Sequence, residues 1–211
     1  MANAAVFESE ENVGKLTKQS YQAWAVVLAA SLFFFYEFII LNIFNSLNAA
    51  FVSEFHISEA ELGNLSAFYF YANILFLFPA GMIIDRVSTR RLILTAMTVC
   101  VSSTFIFANA PNIWVAQLCR FAMGIGGAFC LLSCVRLASR WFEANKMALV
   151  VGVVVTIAFI GGMLAQYTRT PIEIYGWRFV MEMIALSGVF MIGAIYFFVK
   201  DYPDGYHALH E

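Results

Sequence analysis

The stretch GMIIDRVSTRR, residues 81–91, places a carboxylate and a cluster of arginines between two long apolar segments. No charged residue occurs from position 62 to position 84, and a second apolar run begins at position 92. A water-soluble protein rarely buries such a cluster, whereas a membrane protein exposes it to water in a short loop between two spans. This stretch therefore predicts a chain that crosses a membrane.

The composition of the whole chain supports a membrane protein. Of its 211 residues, 62% are hydrophobic and only 12% are charged, whereas soluble domains average about 45–50% and about 25%. The net charge of -2 offers no basic surface for nucleic acid, so we set that class aside. All cysteines fall inside apolar runs, where a disulfide framework is not expected. They are Cys100, Cys119, Cys130 and Cys134.

Six apolar runs are long enough to cross the hydrocarbon core as helices, which takes about 20 residues each. They do not alternate apolar and polar residues as the strands of a membrane β-barrel would. The predicted spans are 22–49, 62–84, 92–108, 113–138, 147–167 and 179–199. The sequence therefore predicts an all-α integral membrane protein with six transmembrane helices.

Lysine and arginine are concentrated on one side of these spans. They occur after the second span and after the fourth, at Arg86, Arg90, Arg91, Arg140 and Lys146. Because short cytoplasmic loops carry this excess, both termini are predicted to be cytoplasmic. The polar first residues contain no signal-peptide core. We therefore expect a cytoplasmic tail at 1–21, a transmembrane domain at 22–199, and at 200–211 either the start of a central cytoplasmic loop or a truncated C-terminus.

The loop at residues 81–91 resembles a motif of the major facilitator superfamily of secondary transporters, G-x-x-x-D-R-x-G-R-R. The matching positions are Gly81, Asp85, Arg86 and Arg90. Ser88 stands where the family prefers glycine, and Thr89 where it often has arginine. The match is therefore good but incomplete.

Four further segments resemble the family in the same order along the chain. They are CRFAMGIGGAF, which contains Arg120 and Gly124, then RWFEANKMALVVG, YGWRFV and VKDYPDG. Together they cover about residues 20 to 205. The resemblance implies two inverted three-helix repeats, which form the N-terminal half of a twelve-span transporter, in a bacterial cytoplasmic (inner) membrane.

The resemblance also implies a conformational gate formed by Gly81, Asp85, Arg86 and Arg90. An Asp–Arg pair at the end of moving helices can hold one conformation and release another. The alternative is that these arginines serve only to orient the chain in the membrane.

Four charged residues lie within the predicted spans, and two of them, Glu37 and Arg120, lie far from the span ends. There a charge is costly and usually faces a cavity or a partner. Glu37 shares a helical face with Asn45 and Asn48, so the three form a polar stripe, and the carboxylate can carry a proton. Arg120 keeps its charge and either pairs with Glu37 or binds an anionic solute. The alternative for both is a structural link between helices.

The second span carries a polar face of Ser66, Tyr69 and Asn73, which either lines a cavity or bonds to a neighbouring helix. Glu182 and Arg136 lie near span ends and are expected to reach the membrane interface.

Small residues predict close contacts between helices. Gly124 and Gly127 share one face of the fourth span, and Gly161 and Gly162 lie together in the fifth.

In family antiporters a glycine-proline pair precedes the fifth-span glycines, but this chain has Thr156 and Ile157 there. That departure favours symport or facilitated uptake. Cys130 and Cys134 also share a face, but without a nearby histidine they predict no metal site.

The leading hypothesis is transport of a small organic solute by alternating access, coupled to uptake of a proton or another ion. An anionic solute is suggested by Arg120 alone. No cofactor or enzymatic activity is expected, because His56, His207 and His210 lie outside the spans. The expected partner is a C-terminal six-helix half or a second copy. The alternative is a half-size protein that acts as a homodimer, or as a regulatory or assembly partner of another membrane protein.

Overall fold

The computed structural model describes the backbone of residues 2–202 and the side chains of residues 20–48 and 50–202. This part of the chain is helical and contains no strand. The helices are α1 (Ala2–Phe55), α2 (Glu59–Ile84), α3 (Thr89–Ala108), α4 (Ile113–Trp141), α5 (Met147–Gln166), α6 (Arg169–Tyr175) and α7 (Trp177–Phe198). A single 3-10 turn, Ala144–Lys146, precedes α5.

Six helices, all except α6, are long and apolar enough to cross a membrane. Each of the six predicted spans falls on one of them, which confirms the predicted all-α membrane fold. The sequence did not predict α6, because seven residues are too few to show a helical period. The first helix begins at Ala2 and so continues through the residues predicted as a tail. Residues 203–211, most of the predicted final segment, lie outside the described residues.

Polar side chains fix where three of the helices begin. Ser58 and Glu61 form a reciprocal capping box at the start of α2. The Ser88 hydroxyl accepts from the Arg91 amide at 3.3 Å, and the Asn112 side chain accepts from the Val115 amide at 3.0 Å. Such caps satisfy amides that the first helical turn leaves unpaired.

The junction between α6 and α7 depends on Gly176. Its φ of 85° lies in the left-handed region, which residues with a Cβ rarely adopt. This single residue both ends α6 and precedes α7, so the chain changes direction without a longer loop.

The helices pair in a symmetric pattern. α1 packs along α5 as α4 packs along α2, and α3 packs along α7. An axis that exchanges α1 with α4, α2 with α5, and α3 with α7 reproduces these pairings. This is the arrangement expected of two inverted three-helix repeats.

Glycines allow the two long pairs to approach closely. A Cβ added to Gly124 would collide with the Tyr69 carbonyl on α2, and one added to Gly161 would collide with the Phe35 carbonyl on α1. Gly162 lies beside Asn42, where an added Cβ would approach the amide nitrogen to 2.9 Å. Backbones at this separation gain dispersion contacts that larger side chains would prevent.

Candidate functional site

The centre of the candidate site is the carboxylate of Glu37, halfway along the membrane segment of α1 and only 2% exposed. Tyr69 on α2 donates its hydroxyl to Oε2 at 2.8 Å, and Cys100 on α3 donates its thiol to Oε1 at 2.7 Å. Both oxygens therefore accept a hydrogen bond, each from a different helix. Among the described residues, no Lys or Arg forms an ion pair with this carboxylate.

Arg120 is also buried, at 1% exposed, but it does not pair with Glu37. Its guanidinium carbon lies 3.9 Å from the centre of the Phe44 ring and 5.1 Å from that of Tyr69. Its Nη1 donates to the Ile40 carbonyl at 3.2 Å. The Glu37 ion pair that the sequence offered as one alternative is therefore absent, because two aromatic faces and a carbonyl hold the guanidinium instead.

Tyr69 links the two buried charges. Its hydroxyl bonds to Glu37 while the face of its ring contacts Arg120. One side chain of α2 thus connects α1 with α4, and a change at either charge alters the surroundings of the other.

A cavity of about 450 Å³ lies beside this group, between α1, α2 and α4. Glu37, Tyr69 and Asn73 supply its polar groups. The rest of the lining is mainly aromatic and aliphatic, and includes Phe34, Phe38, Leu41, Phe70, Leu77 and Leu131. Such a lining suits a small organic molecule that has an apolar body and few polar groups.

Asn45 and Asn48 do not share this cavity with Glu37. They are exposed and line a separate cavity of about 680 Å³ near the α1–α2 turn, together with Ser66. The three residues of the predicted stripe do lie on one helix, but the structure places Glu37 in the core and the two asparagines at one end.

Gly127 on α4 keeps the Glu37 group open. A Cβ added there would collide with the Tyr69 hydroxyl and would lie 3.0 Å from Glu37 Oε2 and 3.1 Å from Asn73 Nδ2. This glycine therefore touches the polar groups of the cavity as well as packing against α2.

The residues of the predicted gate lie at the arginine-rich end of the bundle, but they do not pair with one another. Asp85 accepts from Arg136 Nη1 on α4 at 3.1 Å. Arg90 Nη2 donates to the Tyr196 carbonyl at 2.6 Å. The Arg86 side chain makes no hydrogen bond within the described part of the chain, and Gly81 has open space around it.

A second acidic residue organises this end, and the sequence analysis did not single it out. Asp201, just beyond α7, accepts from the Ser88 hydroxyl, from the Arg90 amide at 2.9 Å and from Arg140 Nη1 at 3.5 Å. Arg140 also donates to the Thr89 hydroxyl at 3.1 Å. We call these five residues the Asp201 clamp. An acidic residue following an apolar span, on the side rich in arginine, was the available signal.

A corresponding tie holds the opposite end. Glu54 on α1 accepts from the Trp177 indole and from Arg178 Nη2 at 2.8 Å. Arg178 also donates to the carbonyls of Ala108 and Ala110. Partial burial acts to raise the pKa of Glu54, but the hydrogen bonds from Trp177 and Arg178 and the charge of Arg178 outweigh it and lower that pKa. We call Glu54, Trp177 and Arg178 the Glu54 tie.

Comparison with known proteins identifies the family. The sequence profile of the Major Facilitator Superfamily matches residues 26–209. The chain belongs to this superfamily, which confirms the resemblance seen at residues 81–91 and establishes a multi-pass integral membrane protein.

Several transporters are similar to parts of the chain. The gentisate transporter of Corynebacterium glutamicum is 26% identical over 166 residues, which are 77% of this chain and 37% of that protein. The human lysosomal dipeptide transporter MFSD1 is 30% identical over 119 residues, which are 54% of this chain and 24% of that protein. The chain thus spans less than half the length of these relatives.

A solved structure shares the fold. It is the crystal structure of a bacterial homolog to the human lysosomal transporter Spinster, in an inward-facing and unoccupied conformation. The TM-score is 0.78 at 18% identity, over 88% of this chain and 44% of that one. At this identity the likeness shows the fold alone.

Proposed function

We propose that this chain forms the N-terminal half of a proton-coupled transporter that takes up a small organic solute by alternating access. The observation that carries the proposal is the buried Glu37 carboxylate, which lines the cavity between α1, α2 and α4. The chain belongs to the Major Facilitator Superfamily, and two relatives in it are named as transporters of gentisate and of dipeptides.

Glu37 is the proposed proton carrier. A carboxyl group in the hydrocarbon region is costly unless it serves a pathway or a structural pair. Glu37 contacts no cation among the described residues, yet it borders a cavity through which a proton can arrive. Its two hydrogen-bond partners, Tyr69 and Cys100, keep it oriented in the absence of an ion pair.

The proposed solute has an apolar body, because the cavity walls are mainly aromatic and aliphatic. Gentisate is an aromatic carboxylate, and a dipeptide carries a carboxylate and can carry apolar side chains, so these are the first two solutes to test. Arg120 is the proposed balancing charge. It stacks on Tyr69, the same residue that bonds to Glu37.

The arginine-rich end is the proposed cytoplasmic end and carries the proposed gate. Charge distribution supports the orientation. The Asp85 carboxylate is 80% exposed although Arg136 contacts it, so it is accessible to a second half of the transporter. Gly81, Arg86 and Arg90 are the other residues of the proposed gate. We propose that the protein lies in the bacterial cytoplasmic membrane.

Uptake into liposomes tests the proposal. The purified chain is reconstituted together with a C-terminal six-helix half, and separately on its own. A proton gradient is imposed, and uptake of radiolabelled gentisate and of a radiolabelled dipeptide is measured. Glu37→Gln should abolish the stimulation of uptake by the gradient, because the amide cannot take up a proton. Glu182→Gln, a matched change in α7 at a side chain that bonds to Asn109, should retain it.

Two results would contradict the proposal. One is solute uptake by the wild-type protein that does not respond to the gradient. The other is gradient-driven uptake by Glu37→Gln equal to that of the wild type. Activity from the chain alone as a defined dimer would instead support the homodimer alternative.

A further inference from the structure

We propose that Cys100 is a positioning residue that directs the incoming proton to Oε2 of Glu37, the oxygen that faces Tyr69. This inference rests on the proposed role of Glu37 as the proton carrier. It assigns a function to a cysteine that the sequence presents only as a small apolar residue.

The two oxygens of Glu37 have different surroundings. Oε1 points to α3, where Cys100 is fully buried with its Sγ at 2.7 Å. A Cβ added to Gly126 on α4 would lie 3.7 Å from Oε1 and would collide with Cys100 Sγ, so this side of the carboxylate is closely packed. Oε2 points to Tyr69, which lines the cavity.

The chemistry of the two partners decides where a proton can reside. A hydroxyl group donates and accepts hydrogen bonds well, whereas a thiol is a weak donor and its sulfur is a weak acceptor. A proton on Oε2 can be donated to Tyr69 Oη. A proton on Oε1 would face the sulfur of Cys100, or would require the thiol to turn to the Met123 carbonyl, 3.8 Å away.

Protonation of Glu37 therefore takes place at a single atom, Oε2. A proton from a hydronium ion or from a protonated solute in the cavity forms the O–H bond at Oε2, and the donor is left as water or as the deprotonated solute. Tyr69 keeps its own proton and turns it from Oε2 toward the cavity. Cys100 continues to donate to Oε1 in both states, so the carboxyl group does not rotate toward α3.

The infrared S–H stretching band of the protein tests the contact directly, because its frequency falls when the thiol donates to a strong acceptor. Cys100→Ser assigns the band by removing it, and Cys119→Ser, which changes a thiol that does not contact Glu37, should leave it in place. Glu37→Gln should shift the band to higher frequency. Tyr69→Phe should shift it much less, since Tyr69 contacts the other oxygen. An S–H stretching frequency that is the same in Glu37→Gln and in the wild type would overturn the proposal.

Transport supplies the second measurement, in the uptake assay described above. Cys100→Ala removes a weak donor to the carboxylate and should change the proton concentration at half-maximal uptake by about threefold to tenfold, at or below the lower end for one hydrogen bond to a charged group. Maximal uptake at saturating solute should stay within about twofold. Cys100→Ser restores a donor and should recover much of the wild-type position of the pH profile.

The two proposals fail in different ways. If Glu37→Gln leaves the gradient dependence intact, the proposed function fails. If Glu37→Gln abolishes it while Cys100→Ala keeps the wild-type pH profile, only the role of Cys100 fails. The infrared comparison of wild type with Glu37→Gln keeps the inference testable even if Cys100→Ala does not fold.

Discussion

Gly127 decides whether the polar groups of the cavity can meet. The space that its missing side chain leaves is occupied by the Tyr69 hydroxyl, with Glu37 Oε2 and Asn73 Nδ2 close by. Any side chain at this position must displace at least the hydroxyl, and the hydroxyl is the atom that bonds to the carboxylate.

We therefore expect Gly127→Ala to reduce gradient-driven uptake by about tenfold or more, the cost of one strong hydrogen bond. Uptake in liposomes and the melting temperature of the purified variant measure the effect. Gly152→Ala is the matched control, because an added Cβ there meets nothing within 4 Å. Equal uptake by the two variants would contradict the assigned role of Gly127.

At this scale the sequence predicts the charges but not their partners. Glu37 and Arg120 stand out because a charge inside an apolar span is costly. Cys100 could not be recognised, since its contact with Glu37 depends on how α3 is rotated against α1. The sequence suggested Glu37 as a partner of Arg120, but the guanidinium lies over the ring of Phe44 instead. No local sequence pattern distinguishes these two partners.

The elements are joined at the arginine-rich end by the Asp201 clamp. Asp201 connects the end of α7 with the first turn of α3 and, through Arg140, with α4. The carboxylate accepts from the Arg90 amide at the positive end of the α3 dipole, where a negative charge is favourable. Ser88, one of the two residues that depart from the family motif, supplies both the cap of α3 and a bond to Asp201.

Asp201→Ala should loosen this junction without unfolding the bundle. The Arg90 amide, which donates to Asp201, should exchange its hydrogen about tenfold faster, as expected when a hydrogen bond to a charged group is lost. Hydrogen exchange followed by mass spectrometry on peptides that cover α3 provides the measurement. Glu143→Gln, an exposed change at the same end, should leave the rate as it is. Unchanged exchange in Asp201→Ala would show that the clamp does not protect α3.

The spans themselves were predictable because the length of an apolar run is set by the membrane rather than by distant contacts. The partners of the loop residues could not be predicted from the sequence. Asp85 pairs with Arg136, which lies 51 positions further along the chain, instead of with an arginine of its own loop. That contact follows from the packing of α2 on α4, which the sequence implied only through small residues such as Gly124.

Across the whole molecule, the Glu54 tie connects the first helix with the last. The stabilisation from ionised Glu54 is present above its unfolded-state pKa, and it is lost as the pH falls through the lowered folded-state value. At neutral pH we expect Glu54→Gln to be less stable than the wild type by about 1 kcal/mol, the upper range for a half-exposed pair.

Thermal unfolding in detergent at several pH values tests this expectation. The difference between wild type and Glu54→Gln should shrink below about pH 4, where the glutamate becomes protonated. Glu173→Gln removes an exposed pair with Arg169 at the same end and should change the melting temperature little. A stability difference that does not depend on pH would show that the charge of Glu54 is not responsible.

The two three-helix repeats of the bundle were predictable only through resemblance to the family. Composition and periodicity give six spans, but they do not say that α1 lies against α5 and α2 against α4. Those pairings depend on side chains that meet across helices, such as Gly161 against the Phe35 carbonyl.

The placement of Trp177 gives the protein an optical signal of its own. This indole is 4% exposed, lies 4.6 Å from the Phe51 ring centre and bonds to Glu54, so two contacts of one fluorophore join α7 to α1. Separation of these helices would bring water to the indole and shift its emission to longer wavelength. Of the other three tryptophans, Trp114 is 72% exposed and Trp24 and Trp141 are partly exposed, so their surroundings would change less. Motion at this end of the bundle can therefore be followed in the unlabelled protein.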